Sequence, residues 1–120
     1  MIPEQIKKFN DLAERWERGT MHLSSTRQMK NHPTYKEILS MGKEILPFIF
    51  ERWADPNILG GSWEILIPEL IGHMPIKFEE KEQGHMDIIK DKWFEWAKEN
   101  GYYDGDLQTR ISNNLFGTKF

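Results

Sequence analysis

Apolar residues recur at helical spacing in the first part of the chain. Ile6, Phe9, Leu12 and Trp16 fall on one face, and charged residues occupy the opposite face. A period of about 3.6 residues is typical of an amphipathic helix that buries one stripe. With Pro3 suited to a first turn and Gly19 to the position after a last turn, the pattern predicts a helix over 3–18.

The next segment, residues 20–32, is dominated by polar side chains. Ser25 and Gln28 have the spacing of a capping box, which predicts a short helical turn after Ser25. Pro33 would end that turn and open a further helix with its own apolar stripe. We expect that helix to close at Gly42.

Three more helices are predicted downstream. One covers 42–53, where Pro47 could be tolerated near the helix start or could introduce a kink. Another covers 63–71, with Ser62 as its N-cap. Pro68 is expected to split or kink the second of these helices. Residues 76–83 then have the composition of a linker.

The last clear helical pattern covers 86–100, and Gly101 is suited to end it. Its expected stripe consists of Met86, Ile89, Trp93, Trp96 and Ala97. No segment alternates apolar and polar residues for long enough to predict a strand. Residues 104–120 form a C-terminal tail that could dock as a short helix, and residues 1–103 form a single domain.

Composition restricts the class of protein. The chain has 120 residues, a net charge of −3 and no cysteine, which excludes disulfides and thiolate metal sites. No apolar run approaches the length of a membrane span, and no secretory signal is expected at the N-terminus. We therefore expect a cytoplasmic protein with no membrane partner.

The middle of the chain resembles a HEAT-type helical hairpin. Gly42-Lys-Glu-Ile-Leu-Pro47 with Ile49 and Trp53 is similar to the second helix of such a hairpin. The preceding helix, with Tyr35, Ile38 and Leu39, would be its partner. Only one hairpin fits, and a repeat array needs about three units for stability, so other helices must close the domain.

A wider resemblance covers about residues 16–103. The residues that carry it are His32-Pro33, Tyr35, Ile38, Met41-Gly42, Leu46-Pro47, Trp63, Leu66, Ile71-Gly72, Pro75, Trp93, Trp96, Gly101 and Tyr102. Together they resemble a group of short bacterial proteins of uncharacterised function. The resemblance implies a helical fold and a bacterial or phage setting, but no activity. The chain departs from the group at Pro68 and beyond Asp104.

The polar segment 20–32 carries the candidate site. Conspicuous polar side chains between rigid helices often bind partners. Helix capping by Ser25 and Gln28 explains part of the segment without any binding. The partner-binding residues that we predict are His22, Ser24, Arg27, Gln28, His32 and Tyr35.

A catalytic alternative is a small hydrolase that uses His22 or His32 with Ser24. No nucleophile elbow or phosphate-binding glycine loop accompanies these residues. No two of the four histidines have the spacing that places metal ligands on one helical face. We predict no catalytic residue, no metal and no cofactor, and the hydrolase stays as the alternative.

A second alternative is nucleic-acid binding through residues 27–43. The cations of this segment are Arg27, Lys30, Lys36 and Lys43. Tyr35 and Trp53 could stack on bases. The negative net charge and the lack of a recognisable nucleic-acid motif disfavour this interpretation.

Aromatic residues are more numerous than a small core requires, with five Trp, seven Phe and three Tyr. Most of the tryptophans fit core stripes, but Phe50, Phe94 and Phe116 fall outside the main stripes. Aromatic rings that are exposed would form an anchor patch for another protein or a second copy. Residues 79–106 hold nine acidic residues against four lysines, which would suit a basic partner.

These patterns together predict an all-α domain of five to six helices around one HEAT-like αα-hairpin. The leading hypothesis for its function is a non-enzymatic protein-binding module, such as an inhibitor, an antitoxin-like partner or an adaptor. Such a module would act by occupying the surface of a partner protein. Formation of a homo-oligomer is left open by the sequence.

Overall fold

The computed structural model of the chain describes residues 2–58 and 61–103. Its helices are α1 (Pro3–Thr20), α2 (Thr26–Lys30), α3 (Pro33–Ser40), α4 (Leu46–Ala54), α5 (Trp63–Ile71) and α6 (Met86–Glu99). Short 3-10 turns at Lys43–Ile45 and Glu80–Glu82 lie between them. No strand occurs in the described ranges, so the predicted all-α class with six helices is confirmed.

The first helix is longer than its sequence pattern predicts. Phe9, Leu12 and Trp16 of the expected stripe are buried and Ile6 is half-buried, but α1 continues through Gly19 to Thr20. The Thr20 hydroxyl donates a 2.6 Å hydrogen bond to the carbonyl of Trp16 one turn earlier. The predicted end at residue 18 is wrong, and Gly19 has a packing role within the helix instead of a terminating one.

Pro47 begins a helix and does not kink one. The 3-10 turn Lys43–Ile45 follows Gly42, whose φ of 82° is the left-handed conformation that favours glycine. α4 then starts at Leu46, so Pro47 lies in the first turn, where its missing N–H costs no intrahelical hydrogen bond. The prediction that Pro47 is tolerated near a helix start is therefore confirmed, whereas the predicted start of that helix at residue 42 is wrong.

α5 runs continuously across Pro68 to Ile71 and is followed by Gly72, whose φ is 84°. The predicted split at Pro68 does not occur. Ser62 occupies the predicted N-cap position, although its side chain makes no capping hydrogen bond.

The core is built largely of aromatic rings. Trp16 and Trp63 meet edge to face with ring centroids 4.9 Å apart, and Phe9 packs on Trp63 at 6.2 Å. Phe50 is fully buried, so it does not belong to an exposed aromatic patch. Phe94 is half-buried against Phe50, and Phe116 lies outside the described residues.

The packing of α3 differs from a simple hairpin. α3 packs mainly on α1 and also meets α2 and α5. α6 packs on α5, burying Trp93 and Ala97, whereas Met86 is exposed despite its place in the predicted stripe. The HEAT-like pairing of α3 with α4 stays a prediction.

Candidate functional site

The short helix α2 exposes the side chains of Thr26, Arg27 and Gln28 to solvent. It contains no buried residue, and Arg27 and Gln28 on it are exposed. His22 and Ser24, in the preceding loop, are exposed as well. We call these four residues the α2 surface. Met21, beside them at the end of α1, is 46% exposed and adds an apolar side chain.

The backbone of α2 is held firmly although Arg27 and Gln28 on it are exposed. The indole Nε1 of Trp16 donates a 2.9 Å hydrogen bond to the carbonyl of Met29. Ser25 caps the helix, because its hydroxyl accepts from the backbone N–H of Gln28 at 3.4 Å, as the capping pattern predicts. A core tryptophan therefore fixes the position of an exposed polar helix.

Lys30 connects α2 to α5 through an ion pair. Its Nζ lies 2.6 Å from Oε1 of Glu69, and the Tyr35 hydroxyl donates to Oε2 of the same carboxylate at 2.8 Å. Partial burial acts to raise the pKa of Glu69, but the hydrogen bonds from Lys30 and Tyr35 together outweigh it and lower that pKa. Glu69 thus stays ionised and joins three helices.

Tyr35 is a core residue whose ring is buried between helices. Its ring centroid lies 5.7 Å from that of Trp16. Burial, followed by the hydrogen bond and the negative charge of Glu69, raises the pKa of Tyr35 well above its ordinary value. The phenol is therefore a protonated donor that supports the site from beneath.

His32 caps α3 from a half-buried position. Its Nδ1 lies 2.8 Å from the hydroxyl of Thr34 and accepts the backbone N–H of Thr34 at 3.3 Å. The far side of the ring lies against Gly19, where an added Cβ would stand 2.3 Å from Nε2. The imidazole thus joins α1 to the start of α3.

The six residues predicted from sequence consequently divide into two groups. His22, Ser24, Arg27 and Gln28 are exposed on one continuous segment, as binding residues would have to be. His32 and Tyr35 lie beneath or beside that segment and bond to other parts of the protein. Sequence reasoning missed Glu69, since nothing local to α5 indicates that α2 and α3 converge on it.

The structure does not bring together the side chains that the hydrolase alternative requires. A serine nucleophile needs a base within hydrogen-bond reach. Within residues 2–58 and 61–103, no hydrogen bond joins Ser24 to a histidine, and Nδ1 of His32 is engaged by Thr34. The same residues contain no group of three potential metal ligands.

The nucleic-acid alternative loses part of its support for a similar reason. The charge of Lys30 is paired with Glu69, and the buried ring of Tyr35 cannot stack on a base. Trp53 is half-buried and stacks on Phe50, with ring centroids 6.1 Å apart. Arg27, Lys36 and Lys43 are the cations of the segment that are exposed without an ion pair to a described residue.

No family model, curated protein or solved structure matches the chain. The resemblance to short bacterial helical proteins therefore stays a prediction. Among the described helices, none has the length and apolar character needed to cross a membrane.

Proposed function

We propose that the protein is a non-enzymatic protein-binding module whose α2 surface occupies the surface of a partner protein. One observation carries the proposal: exposed polar side chains stand on a short helix whose backbone is bonded to the core by Trp16. A partner that binds this helix would not have to order it. Preorganised surfaces bind more tightly because they lose less conformational entropy.

The chemistry of the α2 surface is suited to a polar partner with an apolar spot. Arg27 offers a guanidinium that can bind a carboxylate in a bidentate manner, and Gln28 can both donate and accept hydrogen bonds. Met21 adds a flexible side chain that adapts to irregular apolar surfaces. Arg27 is therefore the residue that we expect to contribute most to binding.

The biological setting is also part of the proposal. The resemblance over residues 16–103 supports a cytoplasmic bacterial or phage protein. A role as an inhibitor, an antitoxin-like partner or an adaptor would follow from occupation of a partner's surface. This step is an analogy with other small helical proteins.

The test is an affinity purification of the tagged protein from its native host, with and without nuclease. We expect one stoichiometric protein partner, which is lost when Arg27→Ala and Gln28→Ala are combined. A control variant with Lys36→Ala and Lys43→Ala removes exposed cations outside the α2 surface and should keep the partner.

Two outcomes would contradict the proposal. Loss of binding in both variants together with sensitivity to nuclease would favour nucleic acid. Absence of a partner, with a folded protein by circular dichroism, would return attention to enzymatic activity.

A further inference from the structure

A second surface lies between residues 75–77 and the last helix, α6. It is an open groove of about 330 Å³, near the lower end of the volumes typical of ligand sites, roughly 300–1,000 Å³. Its lining consists of Pro75, Ile76, Lys77, Lys92, Glu95, Trp96 and Glu99. Apolar and aromatic groups thus lie beside two carboxylates.

The walls of the groove are fixed by internal contacts. Lys92 donates to the carboxylate of Glu82 at 2.7 Å and to the carbonyl of Lys77 at 3.4 Å, which ties residues 77–82 to α6. The Trp96 ring is stacked on Tyr102 with centroids 5.4 Å apart and an interplanar angle of 26°. Trp96 is therefore held in place before any ligand arrives.

The charges that stay available in the groove are mainly negative. Lys92 is already paired with Glu82, and the hydrogen bond from Lys92 lowers the pKa of that carboxyl. Glu95 and Glu99 are exposed one helical turn apart, and neither forms an ion pair with a described residue. Lys77 is the remaining cation of the lining.

From this arrangement we propose that the groove binds an arginine or lysine side chain on a basic segment of a partner protein. The aliphatic stem would lie on Trp96, and the cationic head would lie between Glu95 and Glu99. Arginine suits the site better than lysine, since a guanidinium both stacks on aromatic rings and forms bidentate bonds with carboxylates.

A comparison with another groove shows why the charge matters. The groove between α1 and α3 is of similar size, about 340 Å³, and has both signs of charge. Its charged residues are Glu4, Asp11 and Glu37 against Lys7, Lys8 and Arg15. This balance selects no class of partner. The groove on α6 has two lysines and two glutamates, but Lys92 is paired with Glu82, which leaves two carboxylates against Lys77 beside an aromatic ring. The proposal is independent of the α2 surface.

Hexa-arginine is the probe for the test, with calorimetry to measure affinity and ¹H–¹⁵N NMR to locate binding. We expect one peptide per chain and a shift of the Trp96 indole N–H resonance, which Trp96→Phe identifies by its loss. Combining Glu95→Gln with Glu99→Gln should weaken binding by roughly three- to tenfold, as expected for two exposed ion pairs.

A matched control removes the same charge elsewhere. Glu44→Gln combined with Glu51→Gln changes two exposed carboxylates outside the groove and should leave the affinity within about twofold. Trp96→Leu should weaken binding, whereas Trp96→Phe should largely retain it, because a phenyl ring still offers a π face.

Equal losses in the two double variants would show attraction to net charge alone and would overturn the proposal. Failure of the peptide to bind, or binding without a shift at Trp96, would overturn it as well. A dimer that dissociates in the Glu95→Gln and Glu99→Gln variant would show that a second copy fills the groove instead.

Discussion

Gly19 illustrates how a single missing side chain can position a functional segment. The residue lies inside α1, where glycine ordinarily costs about 0.5–1 kcal/mol relative to alanine. The His32 ring occupies the space that a Cβ would need. The cost of glycine in α1 is thus offset by a contact that fixes the cap of α3, directly after α2.

Gly19→Ala should consequently have different effects in two backgrounds. In the wild-type protein, the new methyl group displaces His32 from Thr34, and the loss of the N-cap, about 1 kcal/mol, offsets the gain of about 0.5–1 kcal/mol from alanine, so we expect no net stabilisation. With His32→Ala present, only the gain is left, and the same change should stabilise α1 by about 0.5–1 kcal/mol. Urea denaturation measures both, and equal stabilisation in both backgrounds would refute the packing role.

At the scale of one element, α5 contains a proline where helices seldom tolerate it. Pro68 is the sixth of nine residues, so the carbonyl of Glu64 has no N–H partner at position 68. Leu66 and Ile67 beside it are fully buried. Burial of this apolar face outweighs the propensity of one residue, which explains why α5 stays continuous.

Pro68→Ala should therefore stabilise the protein. Restoring the N–H removes a cost of up to about 3 kcal/mol for proline inside a helix. The unfolded chain also gains conformational freedom, which reduces this stabilisation by about 0.4–1 kcal/mol. We expect a net gain of about 1–2 kcal/mol in the free energy of unfolding. Pro47→Ala, in the first turn of α4, should change it by less than about 0.5 kcal/mol. Equal effects at the two prolines would contradict this account.

Across the whole molecule, a buried ion pair joins the first helix to the fourth. Arg52 donates from Nε to Oε2 of Glu17 at 2.9 Å and from Nη2 to Oε1 at 2.5 Å. Glu17 is 3% exposed, and the Arg52 side chain is 17% exposed. The hydrogen bond to Glu17 raises the pKa of Arg52 against the opposing effect of burial. Arg52 therefore stays charged beside Glu17.

Breaking this pair from one side should be costly. Arg52→Met leaves the Glu17 carboxylate buried without a partner, and we expect a loss of about 3–5 kcal/mol in denaturant unfolding. Adding Glu17→Met should recover most of that loss, because no buried charge then remains. Arg18→Met, which breaks an exposed pair with Glu14, should cost less than about 1 kcal/mol. A similar loss of stability for Arg52→Met and Arg18→Met would show that burial does not set the energetic cost of breaking the Arg52–Glu17 pair.

Only the exposed residues of the candidate site could be predicted from the sequence. His22, Ser24, Arg27 and Gln28 are polar in a segment without a helical apolar stripe, and such residues face solvent in most folds. Tyr35 and Glu69 are 34 residues apart, and their hydrogen bond depends on how α3 packs on α5. No local sequence pattern predicts that these two side chains meet.

The sequence by itself determined the helical class and the positions of α1, α3 and α6. Their apolar periodicity and flanking Pro or Gly residues act within a few helical turns. These helices can therefore be predicted without knowledge of the helices that pack on them. Tertiary structure alone decided that Gly19 packs on His32, that Phe50 is buried and that Pro68 stays inside a helix. These outcomes depend on space and burial supplied by distant helices, and such energies outweigh the local preference of a residue.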